Sequence, residues 1–249
     1  MSVLSLTGVY LSFPRGPRTI DVLEDVTLEL DVGETVAVLA QRAQGKTSLL
    51  RVAAGIERPE EGNVCFEGED IWEFSEGRRS RLLGGQIGWV GSAAPDLDLP
   101  MLANVALPLF ATHGKREAYA RAKAALERVG AEKCAEQFWT SLADWERALV
   151  AVAQGIAREP KLLLVDDLTV SLGLGEVDAI TQMLDALARE RGFAVLMSVS
   201  DAGATGWSGR VVTLAGGALL ETSRPPMEGN IIDFPGAAQG GREQGRGIS

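Results

Sequence analysis

Apolar and polar positions alternate through most of the first 40 residues, as they do in half-buried strands. Val3 to Ser12 is apolar and β-prone, and Val22 to Leu30 sets apolar side chains against acidic or polar ones. Glu34 to Ala40 (ETVAVLA) breaks the alternation. It is apolar almost throughout, the pattern of a strand covered on both faces. Helical spacing follows from Lys46 to Ala54, with Gly55 at the position that ends a helix. Gly62 to Gly68 predicts another short strand. From about Ala93 to Ala157 the texture changes: Lys115 to Val129 (KREAYARAKAALERV) is helical and stopped by Gly130, and Asp144 to Arg158 is a second helix with Asp144 as its N-cap. Strands then return at Lys161–Asp166 and Phe193–Val199, around a helix from Glu176 to Arg191. Val211–Leu214 and Ala218–Glu221 close as a hairpin on a Gly-Gly turn. Strands alternating with helices predict an α/β core, here with a helical insert. After about Ser223, Gly and Pro dominate and predict a flexible tail over 224–249.

Composition narrows the picture. A chain of 249 residues, 46% hydrophobic and 23% charged, buries an ordinary globular core. A net charge of −10 argues against a nucleic-acid partner, which needs clustered Lys and Arg. Cys65 and Cys134 make no disulfide framework and fit a reducing, cytoplasmic setting as small buried side chains. The opening MSVLSLTGVY lacks the features of a secretory signal, and nothing reaches the ~18 apolar residues of a span. Any membrane link is expected to run through a partner.

The chemistry begins at Ala40–Thr47 (AQRAQGKT), which matches the phosphate-loop pattern except that Ala40 replaces its first Gly. Backbone N–H groups of such a loop wrap phosphates, and the following helix adds its dipole. Gln41, Arg42, Ala43, Gln44, Gly45, Lys46, Thr47 and Ser48 are the candidate nucleotide contacts. Lys46 is placed to reach the β- and γ-phosphates, and the Thr47 hydroxyl to bind Mg²⁺. A Gly-Lys-Thr run also opens ordinary helices; the strand before it and the helix after it favour the loop. Ala40 is tolerable if its φ is negative. Asp166, ending the buried run 161–166, is the candidate partner of Thr47 at the metal.

In this order the features resemble the ATP-binding subunits of ABC transporters, over about residues 3–223. Val22–Glu34 looks like the family's lead-in to the phosphate loop, and Gly62–Asp70 resembles its antiparallel β subdomain. Asn104–Leu109 (NVALPL) is similar to a stretch of the lipoprotein-release and macrolide-export members, and Ile156–Asp166 to the run into the Mg²⁺-binding Asp. The resemblance implies a P-loop NTPase core with an antiparallel β subdomain and a helical subdomain at about 93–157, in a nucleotide-binding domain spanning 1–223. It also implies ATP and Mg²⁺ as ligands, a membrane-embedded permease as partner, and a homodimer or a heterodimer with a second ATP-binding subunit. The chain is then peripheral on the inner face of the cell membrane. Phe13 falls where the family stacks an aromatic on adenine; a buried strand-end Phe is the other reading.

Against that pattern several positions are altered. Gly91-Ser92 stands where the family has a Gln. The signature Leu-Ser-Gly-Gly-Gln/Glu is replaced by Leu142-Ala143-Asp144-Trp145-Glu146, which loses the hydroxyl, adds a bulky ring and puts a carboxylate where phosphate oxygens approach. Asp167 replaces the Glu that orients the attacking water, and Ser200 replaces the γ-phosphate His. A 1 Å misplacement costs on the order of a hundredfold in rate, so slow hydrolysis is expected. His113, in the insert, reads as a surface residue. The leading reading is a degenerate ATP-binding transporter subunit, and the alternative is a non-catalytic scaffold that kept the fold. A GTPase reading lacks the Asn-Lys-x-Asp motif.

Overall fold

The computed structural model describes residues 1–95, 97–200 and 209–221. In chain order the strands are β1 (Ser2–Arg15), β2 (Arg18–Asp31), β3 (Thr35–Leu39), β4 (Glu61–Phe66), β5 (Glu69–Asp70), β6 (Ile87–Gly91), β7 (Leu162–Asp166), β8 (Ala194–Val199), β9 (Arg210–Ala215) and β10 (Ala218–Glu221). The helices are α1 (Lys46–Ala53), α2 (Glu76–Gly85), α3 (Met101–Ala106), α4 (Lys115–Arg128), α5 (Asp144–Ile156) and α6 (Leu174–Arg191). The expected tail at 224–249 lies outside the described residues.

Two sheets result. One is antiparallel, in the order β2-β1-β4-β5; the other has six strands, in the order β10-β9-β3-β8-β7-β6. Within the second, β3 pairs in parallel with both β8 and β9, and β7 pairs in parallel with β6 and β8. Its central strands bury both faces, and the two faces feed different cores. Val36, Val38, Leu162, Leu164 and Leu196 pack toward α1 and the antiparallel sheet. Ala37, Leu163, Val165, Val195 and Met197 pack toward α5, α6 and the helical insert. That double burial is why these segments read as continuous apolar runs.

The β1–β2 hairpin extends past both expected strands, to Arg15 opposite Arg18 across a two-residue link of Gly16 and Pro17. It carries Phe13, opposite Ile20, out toward the loop after β3. On the other side of the sheet, α5 lies directly on β6. A Cβ on Gly155 would stand 2.4 Å from Val90 Cγ2, and one on Gly88 would stand 2.5 Å from the Gly155 carbonyl. Glycine at both positions lets the helix and strand backbones approach without a gap.

The expected N-cap of α5 is corrected by the structure. Ala143 occupies the cap position, and its N–H donates to Glu146 Oε2 at 2.9 Å. Asp144 is already helical, and its Oδ1 accepts from Arg147 Nη1 at 3.0 Å. An i,i+3 Arg was available to take the carboxylate, so Glu146 supplies the terminal hydrogen bond instead. The ends of this helix and of α6 also move: α5 stops at Ile156, and α6 starts two residues early at Leu174.

Candidate functional site

The loop from Ala40 to Gly45 joins the C-terminal end of β3 to α1. Gly45 sits at φ 93, and a Cβ there would meet Val22 Cγ1 and the Val22 carbonyl at 2.8 Å. Only a residue without Cβ serves at that position. Among the described non-glycine residues φ is positive at Asp25, Ala43, Glu67, Glu159 and Asp167, so Ala40 meets the condition for its tolerance. The strain falls on Ala43 instead, at φ 61 in the left-handed region. A non-glycine there costs roughly 1–2 kcal/mol.

Lys46 opens α1 and is buried, at 6% exposure. Its Nζ donates to the Ala40 carbonyl at 2.9 Å and to Ser200 Oγ at 2.5 Å, with the Val199 carbonyl at 3.5 Å. Asp167 Oδ1 is 3.6 Å from the same ammonium. That oxygen is buried and has no hydrogen-bond donor, so the lysine charge is its main compensation. Asp167 itself sits at φ 48, a conformation that Asp tolerates better than most residues.

The next residue builds the adjoining corner. Thr47 Oγ1 donates to Asp166 Oδ1 at 3.2 Å, and Ser198 Oγ donates to the same oxygen at 3.0 Å. Ser198 Oγ also accepts the Asp167 N–H at 2.9 Å. One buried hydroxyl on β8 therefore orients both aspartates at the end of β7. The Thr47 hydroxyl and the Asp166 carboxylate are neighbouring hard oxygen donors. They suit Mg²⁺, which keeps most of its shell as water and phosphate oxygen.

A cavity of about 560 Å³ opens over this corner, lined by Phe13, Val22, Arg42, Ala43, Gly45, Lys46, Thr47, Ser48, Ser92, Asp167 and Val170. Phe13 is 37% exposed, which removes the buried-core reading of that ring. Gln41 and Gln44, expected among the contacts, do not line the cavity. Sequence reasoning missed Val22 and Val170 as wall residues and Ser198 as the organiser of the aspartates. Ser198 had one legible signal, a lone hydroxyl within the apolar run 193–199.

Of the segment Leu142–Glu146, Asp144 lines a different, smaller cavity of about 220 Å³, with Arg147, Ser92, Leu168, Ser171 and Leu172 among its other walls. Arg147 is held there by Asp144 and by the Trp139 carbonyl, which accepts from Nε at 3.2 Å. Trp145 packs half-buried against the insert core. A third cavity, of about 560 Å³, separates the end of β6 from the insert; Trp89, Ala94, Leu97, Leu107 and Arg158 are among its walls. Burial lowers the ordinarily very high pKa of Arg158, which donates to the Pro108 carbonyl. His113 is half-buried beside Thr112 and 3.6 Å from Glu117.

The sequence profile of the family described as ABC transporter matches residues 23–170, more than half of the chain. The chain belongs to the ABC transporter family. The cassette is 34% identical over 219 residues to the lipoprotein-releasing system ATP-binding protein LolD 2 of Caulobacter vibrioides, covering 87% of this chain and 96% of that protein. It is 32% identical to LolD of Chromohalobacter salexigens, with 88% and 93% covered. It is 31% identical to the methionine import ATP-binding protein MetN 1 of Rhodococcus jostii, with 91% and 67% covered. A solved dimeric ATP-binding cassette in a post-hydrolysis state bound to ADP and Pi superposes with a TM-score of 0.79 at 24% identity, covering 89% of this chain and 98% of that one. That likeness concerns the fold. The cassette is thus an ATP-binding subunit of the LolD and MetN kind, on a P-loop NTPase fold. Among the described residues no helix is long and apolar enough to cross a membrane.

Proposed function

We propose that this cassette binds Mg-ATP at the Lys46–Thr47–Asp166 corner and hydrolyses it slowly, as the energy-coupling subunit of a membrane transporter. One observation carries the binding half: Phe13, Lys46 and Thr47 line a single cavity, with Asp166 hydrogen-bonded to Thr47 at its edge. An aromatic at the rim offers a stacking face, Lys46 a charge for the terminal phosphates, and Thr47 with Asp166 the oxygen donors for Mg²⁺. When bound, the metal would screen the phosphate charge and align its oxygens.

The slow-hydrolysis half comes from what surrounds that corner. Asp167 is drawn toward Lys46 rather than standing free to orient a water. Asp144 and Arg147 form an ion pair at the N-terminus of α5, where the family presents small residues to a phosphate. Glu146 takes the Ala143 N–H that such a phosphate would need. In a homodimer both sites combine the altered catalytic positions with the altered signature; beside an intact cassette, one site lacks a good signature and the other a good Glu and His.

The cleft between Trp89 and Leu107 mixes apolar walls with Asn104, Gln154 and Arg158, which suits a helix of a membrane-embedded permease that carries both apolar and polar side chains. Such docking supports the reading of a subunit peripheral on the inner face of the membrane. Steady-state turnover of purified protein with saturating Mg-ATP tests the reading. A rate far below 1 s⁻¹ is expected, with binding lost in Lys46→Ala. Turnover near 1 s⁻¹, ordinary for enzymes, overturns the catalytic half; binding no tighter than millimolar leaves the scaffold alternative.

A further inference from the structure

We infer that the helix seated in the cleft beside Trp89 presents a carboxylate, an Asp or Glu side chain, to Arg158. The inference rests on the permease-docking reading above and names the chemistry by which that partner is recognised.

Three parts of the chain wall the cleft: β6 with Trp89, α5 with Gln154, and the insert with Asn104 and Leu107. Arg158 follows the end of α5 and is the one charged side chain on those walls among the described residues. Its hydrogen bond goes to the Pro108 carbonyl, and no described carboxylate lies within ion-pair distance of it. Nearby arginines differ. Arg121 and Arg128 both reach Glu159, and Arg147 reaches Asp144.

A guanidinium does not shed its proton to escape burial. Arg158 is already half-buried, and an occupant of the cleft strips away more of its water. A covered charge without a counter-charge is heavily penalised. Pro108, Asn104 and Gln154 supply dipoles there but no charge. The occupant must therefore bring the anion. One cation calls for one carboxylate, whose two oxygens match the guanidinium fork. Trp89, Leu97 and Leu107, at 38%, 54% and 37% exposure, offer the apolar contacts for the rest of the same helix. A helix with matching apolar side chains but no acid would fit these walls and strand the charge. The cleft thus holds helices by apolar contact and chooses among them by electrostatics.

A displayed library of amphipathic helical peptides, selected against the immobilised full chain, tests this. Peptides that bind the unaltered chain and weaken about tenfold or more on Trp89→Ala are the cleft binders. They are expected to share an Asp or Glu at one position. In fluorescence anisotropy, changing that carboxylate to its amide should weaken binding about tenfold, and so should Arg158→Met. Both changes together should cost little more than either alone, the mark of a direct pair. Arg158→Lys, which keeps the charge without the fork, should recover part of the affinity. The amide peptide on the unaltered chain reads the pair even if Arg158→Met folds poorly. Cleft binders without a shared carboxylate overturn the inference and leave the docking reading standing. An amide change that costs less than about twofold, or costs that add in full when combined, does the same. If no peptide binds in a way that depends on Trp89, the docking reading falls and the inference with it.

Discussion

Replacing Ser198 by Ala removes the one hydroxyl that ties both strand-end aspartates to β8. Ser198 is fully buried, so no bulk water takes its place. The substitution deletes a hydrogen bond to the Asp166 carboxylate, worth about 1.5–3 kcal/mol. It also leaves the part-buried Asp167 N–H without its acceptor, at about 1–2 kcal/mol. Asp166 keeps Thr47 as a partner, and a fraction of the loss is recovered as the site relaxes. A net destabilisation of about 2–4 kcal/mol follows. In a domain of this size 1 kcal/mol lowers Tm by roughly 2–4 °C, so the expected fall is about 9 °C. Urea unfolding followed by tryptophan fluorescence should show the midpoint drop with m unchanged. The Mg²⁺ concentration needed for half-maximal nucleotide binding should rise in the same variant, because Asp166 loses an orienting donor. A destabilisation below about 1 kcal/mol at constant m would refute the reasoning. It would mean that Ser198 is a packing residue and that the aspartates orient themselves.

Ala43→Gly should stabilise the fold by about 0.5–1 kcal/mol, the relief of a left-handed alanine less the extra entropy of glycine, read as a higher urea midpoint. Both thiols should alkylate slowly at pH 8 in a time course with iodoacetamide. Burial raises the pKa of Cys65, helped by Asp70 and Glu73, and burial with Glu146 and Glu132 does the same for Cys134. Because the folded state holds those protons more tightly than the unfolded chain, stability should fall as the pH rises above the ordinary thiol range. A stability that is flat between pH 8 and 10 contradicts this.

Much of this fold is legible in the sequence because its central strands are covered on both sides. Leu162–Asp166 and Ala194–Val199 alternate between two cores, and both faces demand apolar residues. The Ala40–Thr47 loop is legible for a different reason: Gly45 answers to backbone geometry, and Lys46 with Thr47 completes the pattern that we propose binds phosphate. What stayed hidden lacks a period or depends on distant partners. α2 ends in two glycines and buries only Leu82, so no apolar stripe marks it. α3 has six residues, too few to display helical spacing. Asp144 looked like a cap because nothing local says that Arg147 and Glu146 will divide the work. Ser200 was legible only as a departure, and its contact with Lys46 spans 154 positions.

The bare contact between Gly88 and Gly155 bears on how force travels through the molecule. A Cβ at Gly88 would strike the Gly155 carbonyl and one at Gly155 the Val90 side chain, so β6 and α5 have no room to press closer. α5 runs from that contact to Asp144, and β6 runs from it to Gly91, whose neighbour Ser92 shares a cavity wall with Lys46 and Thr47. A wedge driven into the cleft beside Trp89 thus bears on one closely packed pair, whose two ends lie beside the Lys46 cavity and at Asp144.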